Sequence, residues 1–273
     1  MTATYKLDTN FVWTDLSSYD TAASCRFYEA VFGWQTHDMG RMLADADDRF
    51  GMDQVSYQIA SVGDQTAAGI FDMPPFFQKI KMPPFWMSYL AVDDLDAVVA
   101  RAKTIEGVIV DVEPTAFGDG RMALIRDPMG AGFTCYDGPS IDSKGDGSDH
   151  GRMVWNELIT SDIGAVEAFY RVVLGLTVVP DRDYEARVKL QNAQGQDVAG
   201  IQAVKEDQRS SKVYWMPFFS VDTLSAFGPR IDAAGGEIVS RAKHFGGHDT
   251  AICYDNTGAA FAVAETGTGY GEA

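Results

Sequence analysis

The chain repeats itself. Residues 13–34 (WTDLSSYDTAASCRFYEAVFGW) align without gaps on residues 155–176 (WNELITSDIGAVEAFYRVVLGL), with eight of 22 positions identical. The shared residues are Trp13/Trp155, Leu16/Leu158, Asp20/Asp162, Ala23/Ala165, Phe27/Phe169, Tyr28/Tyr170, Val31/Val173 and Gly33/Gly175. Further pairs follow in order: AAGI (67–70) with VAGI (198–201), Val92 with Val221, and ALIRDPMGAGF (123–133) with AICYDNTGAAF (251–261). Self-similarity on this scale means one folding unit used twice. The offset falls from 142 at the tryptophans to 128 at the last pair, so the first copy is longer, chiefly around MGRMLADADDRFGM (39–52). The expected organisation is a first module at 1–138, a Gly/Ser/Asp-rich linker at 139–150 and a second module at 151–273.

Each copy reads as the same series of elements. FVWTDL and MVWNELIT are strand-like, and Asp20 and Asp162 are good N-caps for the helices that follow. Those helices carry an apolar stripe at i, i+4, i+8 and end at Gly33 and Gly175. SYQIASV (56–62) and ARVKLQNA (186–193) alternate as half-buried strands. A further strand, a second helix capped by Asp93 or Asp222, and a closing hairpin turned by DPMG or DNTG complete each copy. The segment FDMPPFFQKIKMPPFW (71–86), with two Pro-Pro pairs, reads as a stiff aromatic loop.

Composition narrows the functional classes. There are 22 Lys plus Arg against 39 Asp plus Glu, a formal charge of −17. That balance opposes nucleic-acid binding, which needs basic surface to release counterions, and adhesion to anionic membranes. The N-terminus lacks a basic stretch followed by an apolar one, so no signal peptide is expected, and the expected location is the cytoplasm. Cys25, Cys135 and Cys253 are too few and too scattered for a disulfide framework and are expected as buried thiols.

The strand followed by D-x-x-A-x-x-x-F-Y-x-x-V-x-G, the V-D-[DT]-L segment and the terminal D-x-x-G-A-x-F hairpin occur in both copies. In these motifs the chain resembles the vicinal oxygen chelate superfamily, which includes glyoxalase I, bleomycin resistance proteins and extradiol dioxygenases. The resemblance implies an α+β fold of tandem βαβββ modules forming cup-shaped open barrels around a small-molecule cavity. It also implies a divalent metal that stabilises an enolate as a Lewis acid. Carried over position by position, the metal-ligand places fall on Trp13, Met87 and Thr134 in the first copy and on Trp155, Met216 and Ala262 in the second. None is a usual N or O ligand. The expectation is therefore that the chain works with no metal cofactor.

Chemistry is then sought in other side chains. Asp15 and Glu157 are equivalent first-strand carboxylates, two residues beyond the tryptophans and so on their strand face. They are the candidate general bases, with His244 and His248 of KHFGGHD as candidate acids. The two histidines have no histidine counterpart in the first copy. Trp13, Trp155, Tyr89, Tyr214, Trp86, Phe77 and Thr134 are candidate ligand-binding residues, and Arg121 is a candidate cation for an anionic substrate. The paired Phe27/Tyr28 and Phe169/Tyr170 read as core.

The leading expectation is a glyoxalase-like lyase, isomerase or hydrolase that binds a small organic molecule and uses acid–base chemistry. One alternative is a non-catalytic drug-binding protein, which the acidic charge would suit. Another is a metal enzyme with an unusual ligand set, such as Glu157 with His244 or His248. The expected partner is a small molecule, with no nucleic acid or membrane, and a homodimer remains open.

Overall fold

In the computed structural model the described residues are 9–41, 55–139, 141, 144–145, 150–182, 184, 186–204, 213–244 and 247–266. Most of the extra length of the first copy, residues 42–54, lies outside them.

The first copy comprises β1 (Asn10–Ser18), α1 (Thr21–Phe32), β2 (Gln35–Arg41), β3 (Ser56–Val62), β4 (Gln65–Asp72), α2 (Pro75–Lys79), β5 (Phe85–Ala91), α3 (Leu95–Ala102), β6 (Ile109–Phe117), β7 (Gly120–Arg126) and β8 (Gly132–Asp137). The second comprises β9 (Met153–Thr160), α4 (Ile163–Leu174), β10 (Thr177–Pro180), β11 (Arg187–Gln191), β12 (Asp197–Ala203), β13 (Tyr214–Val221), α5 (Leu224–Ala233), β14 (Glu237–His244), β15 (His248–Tyr254) and β16 (Ala260–Glu265). Each copy forms one eight-stranded sheet. The orders are β2-β3-β4-β1-β5-β8-β7-β6 and β10-β11-β12-β9-β13-β16-β15-β14, the same topology twice. No helix among the described residues is long and apolar enough to cross a membrane.

Local chemistry explains the main elements. The Asp20 carboxylate accepts from the Ala23 N–H at 2.8 Å and Asp162 from that of Ala165 at 3.2 Å, satisfying open amides at the starts of α1 and α4. Gly33 and Gly175 end these helices at φ +75° and +70°, where a side chain would be strained. The caps of α3 and α5 are Asp94 and Thr223, one residue later than the aspartates expected from sequence. Their side chains reach the N–H three residues on, at 2.9 and 3.1 Å.

Two features differ from the sequence reading. The outer strands β2, β6, β10 and β14 had no expected counterparts. They are sheet edges, and QTHDMGR or EIVSRAKH lacks the apolar alternation that marks a half-buried strand. The Pro-rich loop contains the short helix α2, with Pro75 at its first turn, where a missing N–H costs nothing.

Backbone contacts divide the chain into two compact units. One holds Met1–Val12, Ser88–Ile141 and Trp155–Met216, and the other holds Trp13–Met87, Asp142–Val154 and Pro217–Ala273. Each unit therefore combines half of one repeat with half of the other. The buried Phe-Tyr pairs of the repeat motif explain how. In one unit the Tyr28 hydroxyl of α1 donates to Asp255 Oδ2 at 3.0 Å, in the DNTG turn of the other repeat. In the other unit Tyr170 of α4 donates to Asp127 Oδ2 at 2.9 Å, in the DPMG turn. Each aspartate also accepts backbone N–H groups of its own turn through Oδ1. Aromatic packing surrounds both bonds: Tyr28 stacks on Trp34 at 5.0 Å, and Tyr170 meets Trp215 edge-on at 5.7 Å. Burial holds the Asp127 carboxyl above the usual carboxylate range although hydrogen bonds from Ala131, Tyr170, Met129 and Gly130 oppose the shift. Tyr170→Phe deletes a buried donor and leaves a carboxylate oxygen short of one partner. The expected loss of stability is about 1–3 kcal/mol, read from the urea midpoint. An unchanged midpoint would show that the aromatic packing alone carries the contact.

Candidate functional site

The first-strand carboxylates of the two repeats sit at matching positions. Asp15 lies beside Gly69 in the parallel pairing of β1 with β4, and Glu157 beside Gly200 in the pairing of β9 with β12. The glycines of AAGI and VAGI leave space over the sheet for the groups that meet each carboxylate. A Cβ at Gly69 would fall on the Tyr57 hydroxyl and 2.8 Å from Asp15 Cβ, while one at Gly200 would lie 3.2 Å from the Glu157 carboxyl carbon.

The partner of each carboxylate also comes from one place in the fold. Tyr57 of β3 pairs with Phe71, two residues past Gly69, and Arg187 of β11 pairs with Gln202, two residues past Gly200. The same position thus carries a phenol in one repeat and a guanidinium in the other. In the first, the Trp13 indole N–H donates to the Tyr57 oxygen at 3.0 Å, and the Tyr57 hydroxyl donates to Asp15 Oδ2 at 3.2 Å. Trp13, Asp15 and Tyr57 are 3%, 1% and 4% exposed. Burial, and next the Asp15 charge, push the Tyr57 phenol well above its ordinary value, so it stays protonated. In the second repeat, the Trp155 N–H donates directly to Glu157 Oε2 at 3.3 Å, and Arg187 Nε lies 2.7 Å from Glu157 Oε1. The Arg187 guanidinium also lies 3.7 Å from Asp181 Oδ2 and 4.6 Å above the Tyr184 ring. All three charged side chains of this cluster are buried.

Tyr57, Arg187 and Asp181 were not singled out from the sequence. The usable signal was the repeated glycine, which marks a close approach, but it does not say which residue approaches. Gly69→Ala tests the geometry. The methyl group displaces the Tyr57 ring, so the expected loss is about 1–3 kcal/mol, together with a changed Trp13 indole resonance in the ¹H–¹⁵N spectrum. An unmoved Trp13 signal would contradict the relay.

The other candidates are dispersed. His248, half-buried, has Nδ1 3.1 Å from the Glu265 carbonyl oxygen, and the Glu265 carboxylate accepts the Leu224 N–H at 2.8 Å. His244 ends β14 opposite His248, and its side chain lies outside the described residues. Arg121 binds Asp137 at 2.6 Å and Asp96 at 2.9 Å, at the edge of a surface cavity of about 450 Å³. Trp86 is buried and donates to the Tyr28 hydroxyl at 3.3 Å, within the core around that tyrosine. Tyr89 is buried with its ring 5.6 Å from Phe117, and its strand neighbour is the buried Thr134. Phe77 on α2 packs against Phe85 at 5.7 Å, and Tyr214 is half-buried at the start of β13. Met216 and Ala262 are buried, and the Met87 carbonyl accepts the Thr14 hydroxyl at 3.1 Å.

The chain is similar to known proteins over nearly all its length. It is 30% identical over 258 residues to CFP32 of Mycobacterium tuberculosis, a glyoxylase candidate, covering 92% of each chain. It is 28% identical over 260 residues to the anthracycline biosynthesis protein DauV of Streptomyces sp. strain C5, covering 94% of each. Among solved structures, the Mn(II)-bound glyoxalase of Novosphingobium aromaticivorans shares the fold, with a TM-score of 0.60 and 14% identity over 95% of this chain and 83% of that one.

The last comparison corrects the expectation of no metal cofactor. The same fold holds Mn(II) in the Novosphingobium glyoxalase. The expectation rested on counting to Trp13, Met87, Thr134, Trp155, Met216 and Ala262, whereas a metal needs donors that converge in space, not at fixed counts along a chain. Among the described residues no three His, Cys, Asp or Glu side chains form such a group. Asp15 bonds a phenol, and Glu157 and Asp181 face a guanidinium. These donors do not fit a metal as they stand.

The repeats decide the family. The sequence profile of the Glyoxalase/Bleomycin resistance protein/Dioxygenase superfamily matches twice, over residues 10–134 and 152–263, one match for each eight-stranded sheet. The chain belongs to that superfamily.

Proposed function

We propose that the chain binds a small oxygenated organic molecule and moves a proton on it, with Asp15 as the base. The observation that carries this reading is the buried relay from Trp13 through Tyr57 to Asp15. A carboxylate with a neutral hydrogen-bond partner, shielded from water, can take a proton from a carbon next to a carbonyl. The electron pair left behind becomes an enolate. The proton on Asp15, or one exchanged from water, then returns to the same carbon, which gives exchange. Tyr57 orients the carboxylate, and Trp13 fixes the phenol oxygen from behind. The similarity to a glyoxylase candidate and to an anthracycline biosynthesis protein supports carbonyl compounds, including polycyclic aromatic ones, as the class to test.

The test is a screen of α-hydroxycarbonyl compounds and an anthracycline with the full chain, run with and without added Mn(II). Binding is read by thermal shift and tryptophan quenching, and turnover by NMR of the compound. Binding with turnover supports the reading. Binding without turnover across the panel would make the chain a binder and overturn the catalytic part.

A further inference from the structure

The chain enters the second repeat through a junction that is tied from two sides within one compact unit. The Gly151 N–H donates to the Ser220 carbonyl at 2.8 Å, and the Ser220 N–H donates to the Arg152 carbonyl at 2.9 Å. From the other side the Trp34 indole N–H, just past α1, donates to the Gly151 carbonyl at 2.9 Å. His150 sits at this junction, its ring 6.1 Å from that of Phe32. Both ring nitrogens are buried, and neither makes a hydrogen bond of good geometry. Three groups act on the ring: the Val31 carbonyl near the end of α1, the Asp222 carboxylate, with Oδ1 3.6 Å from Nδ1, and the like charge of Arg230 on α5. Asp222 is 77% exposed, so water weakens its pull. Burial, the largest influence, holds the imidazole below its ordinary value. Arg230 adds to that shift, and Asp222 and the Val31 carbonyl oppose it.

We propose that His150 is an acid-sensitive latch on this junction, closed while the ring is neutral and released when the ring takes a proton. The buried place suits the neutral ring, because burial penalises the charged form far more. A charged ring there has one exposed carboxylate for it and one guanidinium against it. Water serves the imidazolium better, so the ring turns outward and the Trp34–Gly151 bond beside it loosens. The sign of the pH effect follows from linkage. The unfolded chain takes up this proton at the ordinary value, about 6.5, and the folded chain only at a lower one. Stability is therefore full above about pH 6.5 and falls as the pH drops from there through the folded value. None of this depends on the role of Asp15.

The experiment is NMR of the full chain, following the rings of its four histidines and the Trp34 indole N–H from about pH 8 to about pH 5. His150→Gln and Trp34→Phe assign the two signals. The His150 ring is expected to titrate with a midpoint below about 6.5, and the Trp34 signal to shift with that same midpoint. Asp222→Asn removes the charge that favours the proton and is expected to lower the midpoint further. The urea midpoint is expected to fall over the same pH range in the wild type and to fall less in His150→Gln. Should His150→Gln fail to fold, Asp222→Asn still identifies the ring, because Asp222 is exposed and acts on this histidine. A His150 midpoint at or above the ordinary value would overturn the proposal. So would a Trp34 signal that stays put while His150 takes its proton, or one that shifts equally in His150→Gln.

Discussion

Replacing Arg187 by Met is expected to destabilise the protein by about 3–5 kcal/mol. The guanidinium stands between Glu157 and Asp181, and the three side chains are 2%, 0% and 2% exposed. Taking charges out of water is costly, and the cation between the two carboxylates offsets part of that cost. Without it, two carboxylates share a buried space with no charge between them, and Tyr184 loses the cation over its ring. Combining Arg187→Met with Glu157→Gln and Asp181→Asn removes the stranded charges and is expected to recover much of the loss. Urea denaturation measures both. A single-variant loss under about 1 kcal/mol would mean that the cluster is solvated like a surface pair.

Replacing Asp15 by Asn is expected to lower turnover by about 10²–10⁴-fold on whichever carbonyl compound the chain accepts. The change is nearly isosteric, and the amide oxygen can still accept from the Tyr57 hydroxyl, so folding and binding are expected to persist. What disappears is the ability to hold a proton. Tyr57→Phe should cost less, because the base remains and only its orientation is loosened. A drop in binding equal to the drop in turnover would assign Asp15 to the scaffold instead.

Much of the fold was legible because the chain states it twice. The strand, capped helix and glycine stop around Phe27/Tyr28 and Phe169/Tyr170, and the DPMG and DNTG turns, all formed as the residues suggested. The bonds from Tyr28 to Asp255 and from Tyr170 to Asp127 were not legible, since each joins residues of different repeats. The edge strands were missed because solvent-facing edges carry no apolar alternation.

The site was half-visible. Asp15 and Glu157 stood out as paired carboxylates next to paired tryptophans. Tyr57 and Arg187 did not, because duplication conserved their position in the sheet and not their chemistry, and their contacts arise from strand register across a glycine. The cofactor expectation is overturned by the Mn(II)-bound glyoxalase that shares the fold, and not by a donor set among the described residues.

The central claim is that Asp15 moves a proton. The most direct measurement is ¹H NMR of an α-hydroxycarbonyl compound in deuterium oxide, following deuterium entering at the carbon next to the carbonyl. The wild-type chain is expected to catalyse the exchange and Asp15→Asn to slow it by at least about a hundredfold. Exchange at the same rate in both proteins would contradict the account.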